Sequence, residues 1–224
     1  MNERHRGAPG RAGRLRNANR GTRAMLVRRR EILARGAEPV GWKIGFNIPE
    51  MQQKLGIDGP LAGFLTTDGL VEDGAEVSLD GPLMVESEVA VELGGDARAS
   101  AALLPALELA DPPDLEQDVE TILAGNIFHR AVAFGPRVET AAPGAARILV
   151  NGVEERSLPA ERAGAHLTEM VDAVAGRLAD AGEELRPGER IITGILAPPH
   201  PAQPGDTVRL ELEALGGVEL RFAA

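Results

Sequence analysis

The chain has 224 residues, with 24 basic and 34 acidic side chains, no cysteine, and one tryptophan and five phenylalanines as its only aromatic residues. The lack of cysteine excludes disulfides and thiolate chemistry. The formal charge of −10 argues against a nucleic-acid-binding domain, which needs a positive surface. No apolar run of about 18 residues is present, so no membrane span is predicted. The length fits one domain, with a core built from aliphatic side chains.

The charge is distributed unevenly along the chain. Residues 1–36 hold eleven arginines against two glutamates, whereas residues 37–224 hold 13 basic and 32 acidic side chains. A basic segment ahead of an acidic body can be a helix that covers the body, an arginine-rich targeting peptide, or an arm for nucleic acid or a membrane surface. We favour the covering helix, because the segment lacks the apolar core of a secretory signal.

The basic segment is predicted to contain a tail and a helix. Residues 1–13 are polar and interrupted by glycine and proline, which is typical of disorder. Residues 20–35 can form a helix with one apolar stripe, and Gly36 is a typical C-terminal stop. We therefore divide the chain into a disordered basic tail, residues 1–19, and a single domain, residues 20–224, which begins with this helix.

The body is predicted to consist of many short strands and a few helices. The predicted strands are 40–46, two short segments around Asp73-Gly74, 83–93, 127–134, 146–150, 190–196, 207–215 and 218–222. The predicted helices are 49–55, 98–110 and 160–181. Strands and helices do not alternate as they do around a parallel sheet. The pattern therefore favours a mixed, mostly antiparallel α+β or β-roll fold over a doubly wound one.

Two glutamates in the predicted strand 83–93 are candidate metal ligands. Residues two apart on a strand point to the same face, so Glu86 and Glu88 place two carboxylates side by side. Such a pair suits a hard divalent cation such as Mg²⁺ or Mn²⁺. Glu92 lies on the same side, however, and a row of glutamates is also typical of a face exposed to solvent. The spacing alone favours the solvent-exposed face.

Two further charged residues lie in apolar surroundings. Glu108 belongs to the stretch LLPALELA, where it either faces solvent or is buried with a cationic partner. Lys43 lies between Trp42 and Ile44. It either faces solvent, as most strand lysines do, or is buried with its pKa lowered towards the range of proton transfer. The four histidines show no metal-ligand spacing, and no nucleophile elbow, P-loop or dinucleotide-binding glycine pattern is present.

Four sequence blocks carry a family resemblance: GWKIGFNIPEMQQKLGIDGPLAGFL, VESEVAVEL, LPALELA and LRPGERIITGILAPPHPAQPGDTVRLELEALGGVELRF. With these blocks, the chain from about residue 20 to its C-terminus resembles the 2-keto-4-pentenoate hydratase branch of the fumarylacetoacetate hydrolase superfamily. That branch also includes 4-oxalocrotonate decarboxylase. The resemblance implies a mixed β-roll of the fumarylacetoacetate hydrolase C-terminal type with flanking helices.

The resemblance also implies a metal site. The family binds Mg²⁺ or Mn²⁺ through an ExE pair and a further glutamate, and it has an active-site lysine. Carried over by motif, the metal ligands are Glu86, Glu88 and Glu108, and the lysine is Lys43. Three converging carboxylates repel one another, and a divalent ion would remove that penalty.

The substrate-binding residues implied by the resemblance are Thr193, near the substrate carboxylate, Gly194, which allows close approach, and Asn126. This part of the site departs from the family pattern. Residues 125–128 are GNIF where the family has Asp-Asn-Ala-Ser, and residues 195–197 are apolar where small polar residues are usual. We therefore expect an altered and more apolar pocket.

By resemblance, the chain is a metal-dependent lyase of hydratase type that acts on a small 2-oxo or 2-hydroxydienoic acid through a metal-stabilised enolate. The alternatives are a decarboxylase or C–C hydrolase of the same superfamily with an unusual substrate, and a non-catalytic partner subunit. We expect a cytoplasmic homo-oligomer with no nucleic-acid or membrane partner.

Overall fold

The computed structural model describes residues 11–114, 116–140 and 142–224, with side chains from residue 19 onward. The helices are α1 (Arg11–Ala34), α2 (Pro49–Leu55), α3 (Val119–Ala124), α4 (Ala160–Ala163) and α5 (Leu167–Asp180). The strands are β1 (Pro39–Gly45), β2 (Leu61–Thr66), β3 (Leu70–Val71), β4 (Glu76–Val77), β5 (Met84–Leu93), β6 (Ser100–Ala110), β7 (His129–Phe134), β8 (Ala146–Val150), β9 (Val153–Leu158), β10 (Arg190–Ile195), β11 (His200–Pro201), β12 (Thr207–Leu212) and β13 (Gly216–Phe222). A short 3₁₀ turn, Thr67–Gly69, precedes β3.

The strands form two mixed sheets. The first has the order β2-β1-β10-β5-β6-β7-β3, with β11 paired to β5, and the second has the order β4-β13-β12-β8-β9. Most neighbours are antiparallel. Among the described strands, the parallel pairs are β1–β10, β3–β7 and β4–β13. The predicted mixed, mostly antiparallel α+β fold with flanking helices is therefore confirmed.

The centre of the first sheet, β5 and β6, is buried on both faces. On one face, Val91 and Leu107 belong to the main core, which also contains side chains of the second sheet and of α5. On the other face, Ala90 and Leu104 pack with residues from β2, β7 and β10. Side chains that project from these two strands are therefore held by packing on both sides, which suits a precisely positioned site.

The predicted helix over residues 98–110 is wrong, because residues 100–110 form strand β6. A strand buried on both faces is a continuous apolar run without a period of two, and such a run cannot be told from a buried helix by pattern alone. Pro105 is tolerated at the end of the β6–β7 ladder. The ladder with β7 begins at Ala106, and the carbonyl of Pro105 accepts from the amide of Gly135, just beyond β7; proline is found at such strand-end positions.

Two other predictions need adjustment. The predicted helix 160–181 is divided into α4 and α5 by a turn at 164–166, where His166 has a φ of 63°. The two short strands around Asp73-Gly74 exist but do not pair with each other, because β3 pairs with β7 and β4 pairs with β13.

The basic helix packs on the body of the protein. Met25 and Leu26 are buried, and the guanidinium of Arg29 lies 4.7 Å from the ring centroid of Trp42. Arg29 also pairs with Glu189 at 3.8 Å, and Glu189 accepts a hydrogen bond of 3.0 Å from Trp42 Nε1. These contacts agree with the predicted covering helix.

The helix begins earlier than predicted. Residues 11–19, assigned to the disordered tail, have a helical backbone within α1, because arginine, alanine and leucine are good helix formers and no proline follows Pro9 in this segment. Residues 1–10, the rest of the predicted tail, lie outside the described residues. No helix in the described part of the chain is both long and apolar enough to span a membrane.

Candidate active site

Three glutamates converge on one face of the central strands. Glu86 on β5 pairs directly with Glu108 on β6, and Glu88 lies two residues further along β5. One carboxylate oxygen from each residue lies within 4.8 Å of the other two. Glu88 and Glu108 are fully buried. The predicted common face is therefore present, and we call these three residues the carboxylate cluster.

The charges of the carboxylate cluster are not balanced by the protein. Burial raises the pKa of Glu86 to about 7, with a further contribution from the negative charge of Glu108. Burial also raises the pKa of Glu88 well above its usual value, and both neighbouring carboxylates add to this. Burial acts in the same direction on Glu108, but the positive charge of Lys43 and the hydrogen bond from His129 outweigh it and lower that pKa.

Lys43 is a buried partner of this cluster. Its ammonium donates to Oε1 of Glu108 and, at 3.2 Å, to the carbonyl of Ile127. Burial acts to lower its pKa, but the charges of Glu108 and Glu86 outweigh burial, so the pKa of Lys43 is raised. Of the two alternatives predicted for Lys43, burial is therefore correct. The lowered pKa that was predicted for a buried Lys43 is wrong, because nearby carboxylates stabilise the ammonium.

A bulge in β10 brings Thr193 and Gly194 next to the cluster. Ile192 pairs with Ala90 and Ile195 pairs with Glu88, so β10 has one extra residue. The N–H of Gly194, at a φ of 99°, donates to Glu88 Oε2 at 2.7 Å. The Thr193 hydroxyl donates to the carbonyl of Val89 at 2.9 Å. Bulges of this kind are frequent beside active sites, where they redirect side chains.

Glycine is required at 194 for two reasons. Its positive φ is unfavourable for other residues, and a Cβ there would lie 2.5 Å from Nδ2 of Asn47. In the structure, the groups that lie close to Gly194 are the side chain of Asn47 on one side and the carboxylate of Glu88 on the other. Asn47 was not predicted as a site residue.

Asn126 is placed differently from the other predicted residues. Its side chain accepts from the amide of Phe64 at 2.8 Å and donates to the carbonyl of Phe64 at 2.9 Å. It begins a turn in which Asn126, Ile127 and Phe128 all have a φ between 53° and 62°. The residue therefore fixes this turn to β2, and it is not among the residues that line the cavity described below.

His129 is a site residue that the sequence analysis missed. Its Nδ1 lies 2.7 Å from Glu108 Oε1, and its side chain is only 7% exposed. The contact depends on the pairing of β6 with β7 and on the turn before β7. The spacing of the four histidines does not reveal His129, because it contacts a predicted metal ligand and has no second histidine beside it in the cluster.

Two carboxylate oxygens of the cluster lack a partner. Glu88 Oε1 and Glu108 Oε2 are buried and accept no hydrogen bond from the described residues. Unpaired buried carboxylate oxygens are costly, and an oxygen-only donor set of this kind fits a hard divalent cation. The residues present therefore fit Mg²⁺ or Mn²⁺.

A cavity of about 760 Å³ opens beside the cluster. Lys43, Glu86, Thr193 and Gly194 line it at this end. Most of the remaining lining is apolar and includes Phe46, Ile48, Met51, Phe128, Leu167, Met170 and residues 195–199. The lining agrees with the more apolar pocket predicted from residues 195–197.

The mixed two-sheet fold holds a buried cluster of carboxylate oxygens that fits a divalent metal ion. The structure of 4-oxalocrotonate decarboxylase from Pseudomonas putida G7, complexed with magnesium and adipate, matches the chain with a TM-score of 0.76 at 22% identity, covering 96% of this chain and 99% of that one. This likeness establishes the shared fold. No model of a known protein family matches the chain.

Two curated relatives are similar over most of their length. The TodF product hydratase of Pseudomonas putida is 29% identical over 217 residues, covering 88% of this chain and 81% of the relative. The 2-hydroxyhexa-2,4-dienoate hydratase of Comamonas testosteroni is 28% identical over 219 residues, covering 88% and 82%. The resemblance found in the sequence is thus confirmed: the chain is a relative of the 2-keto-4-pentenoate hydratases and 4-oxalocrotonate decarboxylases.

Proposed function

We propose that this chain is a metal-dependent lyase of hydratase type that acts on a small 2-oxo or 2-hydroxydienoic acid. The observation that carries the proposal is the pair of buried, unpartnered oxygens of Glu88 and Glu108 beside an ammonium group at the end of a cavity. The similarity over 88% of the chain to two hydratases, one of which is named for 2-hydroxyhexa-2,4-dienoate, supports the same reaction class.

The three residues of the carboxylate cluster would hold Mg²⁺ or Mn²⁺. Bound there, the ion would supply Lewis-acid stabilisation of negative charge on the 2-oxo oxygen of the substrate. Gly194 fixes the Glu88 carboxylate through its N–H, and the bulge that contains Gly194 also brings Thr193 to the cavity wall. The resemblance assigns Thr193 to the substrate carboxylate. To donate to it, the hydroxyl must first release the carbonyl of Val89.

Lys43 is the residue best placed to move a proton. Hydration of a 2-hydroxydienoate requires a proton at C5 as the dienol becomes a conjugated enone, then water at C4 and a proton at C3. The Lys43 ammonium lines the cavity and is held by Glu108 and by the carbonyl of Ile127. A positioned acid of this kind contributes about 10²–10⁴-fold to the rate.

Decarboxylation is the second candidate, favoured by the structural likeness to 4-oxalocrotonate decarboxylase. A dicarboxylic substrate would need a cation for its second carboxylate. Beyond Lys43, the basic side chains that line the cavity within the described chain are Arg162 and His166, both exposed. The apolar lining elsewhere favours a monocarboxylic acid, and therefore the hydratase reaction.

The test is loss of dienol absorbance when 2-hydroxypenta-2,4-dienoate is added to the protein with Mg²⁺, with the products identified by mass spectrometry. Addition of water supports the hydratase, and loss of CO₂ from 2-hydroxymuconate or its keto form supports the decarboxylase. C–C cleavage would instead indicate a hydrolase. No turnover of any 2-oxo acid, together with no binding of Mn²⁺, would indicate a non-catalytic subunit. A cytoplasmic homo-oligomer remains part of the proposal, to be checked by light scattering and cell fractionation.

A further inference from the structure

The two oxygens of the Glu108 carboxylate have different hydrogen-bond partners. Its Oε1 accepts from Lys43 and lies 2.7 Å from His129 Nδ1. Its Oε2 is buried and has no partner among the described residues. Since a carboxylate rotates about a single bond, two donors on one oxygen fix the direction in which the other oxygen points. The free oxygen is the one available to a cation shared with Glu86 and Glu88.

His129 is held firmly in this position. It begins β7 at a register shift, opposite Ala110, directly after the turn of residues 126–128. On its other side the ring faces Gly69, where a Cβ would be 3.3 Å from His129 Nε2. The ring therefore lies between Glu108 and the turn before β3, and its buried Nε2 has no hydrogen-bond partner among the described residues. Because an ionised carboxylate only accepts, Nδ1 must carry the proton of this hydrogen bond.

We propose that His129 is a positioning residue for the metal site: its Nδ1–H holds Glu108 Oε1 so that Oε2 stays turned towards Glu86 and Glu88. Lys43 donates to the same oxygen, but a lysine that transfers protons must exchange that bond during the reaction. His129 keeps the ligand in place through this exchange. The inference rests on the proposed function in that the carboxylate cluster binds a divalent ion and Lys43 transfers protons.

Two amide variants separate positioning from simple filling of space. In His129→Asn the side-chain nitrogen is attached to Cγ, as Nδ1 is, so a donor remains near Glu108. In His129→Gln the nitrogen is one carbon further out and takes the place of Nε2. The probe is Mn²⁺ alone, with the free ion measured by electron paramagnetic resonance. We expect Mn²⁺ to bind about 10–100-fold more weakly to His129→Gln, the effect typical of losing an outer partner of a ligand. His129→Asn should stay within about threefold of the wild type, because it keeps that partner.

His200→Gln is the matched control. His200 also contacts a carboxylate, with Nε2 3.0 Å from Asp206, but it pairs with Val85, whose side chain points away from the face of Glu86. Its Mn²⁺ affinity should equal that of the wild type.

The outcomes distinguish this inference from the proposed function. If the wild type itself does not bind Mn²⁺, the metal site fails and the inference fails with it. If the wild type binds Mn²⁺ and His129→Gln binds equally well, only the role of His129 is overturned. The same holds if the Asn and Gln variants lose equal affinity. Thermal unfolding without metal checks that the variants fold. Should His129→Gln not fold, His129→Ala gives the same comparison with His129→Asn.

Discussion

Two groups of buried charged side chains lie on either side of β1. Trp42 and Lys43 are consecutive on this strand, so they point to opposite faces. On the side of Trp42, the carboxylate of Glu189 accepts from the indole and from the amide of Arg186 and pairs with Arg29. On the side of Lys43, one ammonium faces the three residues of the carboxylate cluster, and two oxygens have no partner.

The difference shows how structural charge can be told from functional charge. One carboxylate and one guanidinium balance each other as an ion pair at 3.8 Å, and this group attaches α1 to the body. Three carboxyl groups face one ammonium, so ionising all three would leave a buried negative charge that the described residues do not balance. The burial of a charged side chain does not by itself indicate a ligand site. An excess of buried carboxyl groups with unpartnered oxygens does indicate one.

The largest expected effect concerns Lys43. Lys43→Met removes the ammonium and keeps most of the side-chain volume, so turnover of the dienoic acid should fall about 10²–10⁴-fold. Mn²⁺ should still bind, because no ligand is lost. Initial rates and Mn²⁺ titration check the two parts. Lys54→Met is the control, since Lys54 is the only other lysine and is exposed on α2. Wild-type turnover by Lys43→Met would exclude the lysine as the proton-transfer group.

The next effect concerns the group formed by Glu189, Arg29 and Trp42. Glu189→Ala leaves Arg29 without its carboxylate and Trp42 Nε1 without an acceptor, and breaking a buried pair in this way should lower the free energy of unfolding by about 3 kcal/mol. Urea denaturation measures the loss. Mn²⁺ affinity should be unchanged. A weakened Mn²⁺ affinity in this variant would show that the two groups are coupled through β1.

Glu88→Gln should have the opposite effect to Glu189→Ala: Mn²⁺ affinity should fall and stability should stay nearly the same. Burial and the neighbouring carboxylates raise the pKa of Glu88 and so disfavour its charged form, and glutamine replaces that form with a neutral group of similar shape. The acceptor for the amide of Gly194 is also kept. We therefore expect the stability of the metal-free variant to be close to that of the wild type. Mn²⁺ affinity should fall by about 100-fold, because loss of a residue that only orients a ligand already lowers metal affinity by about 10–100-fold. Loss of stability without loss of affinity would assign Glu88 to the structure alone.

The smallest effect is a dependence of metal binding on pH. The pKa of Glu86 is raised to about 7 in the metal-free protein, so below this pH the ion must displace a proton. Mn²⁺ affinity should fall as the pH is lowered through about 7, by about tenfold for each pH unit through the Glu86 proton alone. Titrations at several pH values check this. Glu92→Gln, on the same strand but paired with Arg137 and Arg190, should leave the profile unchanged, and a flat wild-type profile would contradict the prediction.

Sequence reasoning predicted the parts of the fold and site that depend on local pattern. The common face of Glu86 and Glu88 follows from the alternation of a strand, and α2 was predicted over its full length from its amphipathic pattern and from Pro49 at its start. The strand β6 was mistaken for a helix, because burial on both faces removes the alternation. Glu108 was still assigned correctly to the cluster, by family resemblance and not by local pattern.

The parts that sequence reasoning missed depend on contacts between distant segments. His129 meets Glu108 only through the β6–β7 pairing, and Asn47 meets Gly194 only because β10 bulges. Asn126 was assigned to the substrate by resemblance, but its amide is occupied by Phe64 in β2. Pattern and motif identify which residues matter, whereas the partner of each residue is set by the register of the sheet.

The direct pairing of Glu86 with Glu108 also has a consequence for the lifetime of the protein. Like charges opposite each other on neighbouring strands oppose the formation of a sheet, and here one of the two, Glu108, is fully buried. An ion that binds only the folded chain would add about 2.7 kcal/mol to its stability at a hundredfold excess over the dissociation constant. The supply of divalent metal would then determine how much folded protein a cell retains, and a chelator would shorten the survival of the protein as well as stop its turnover.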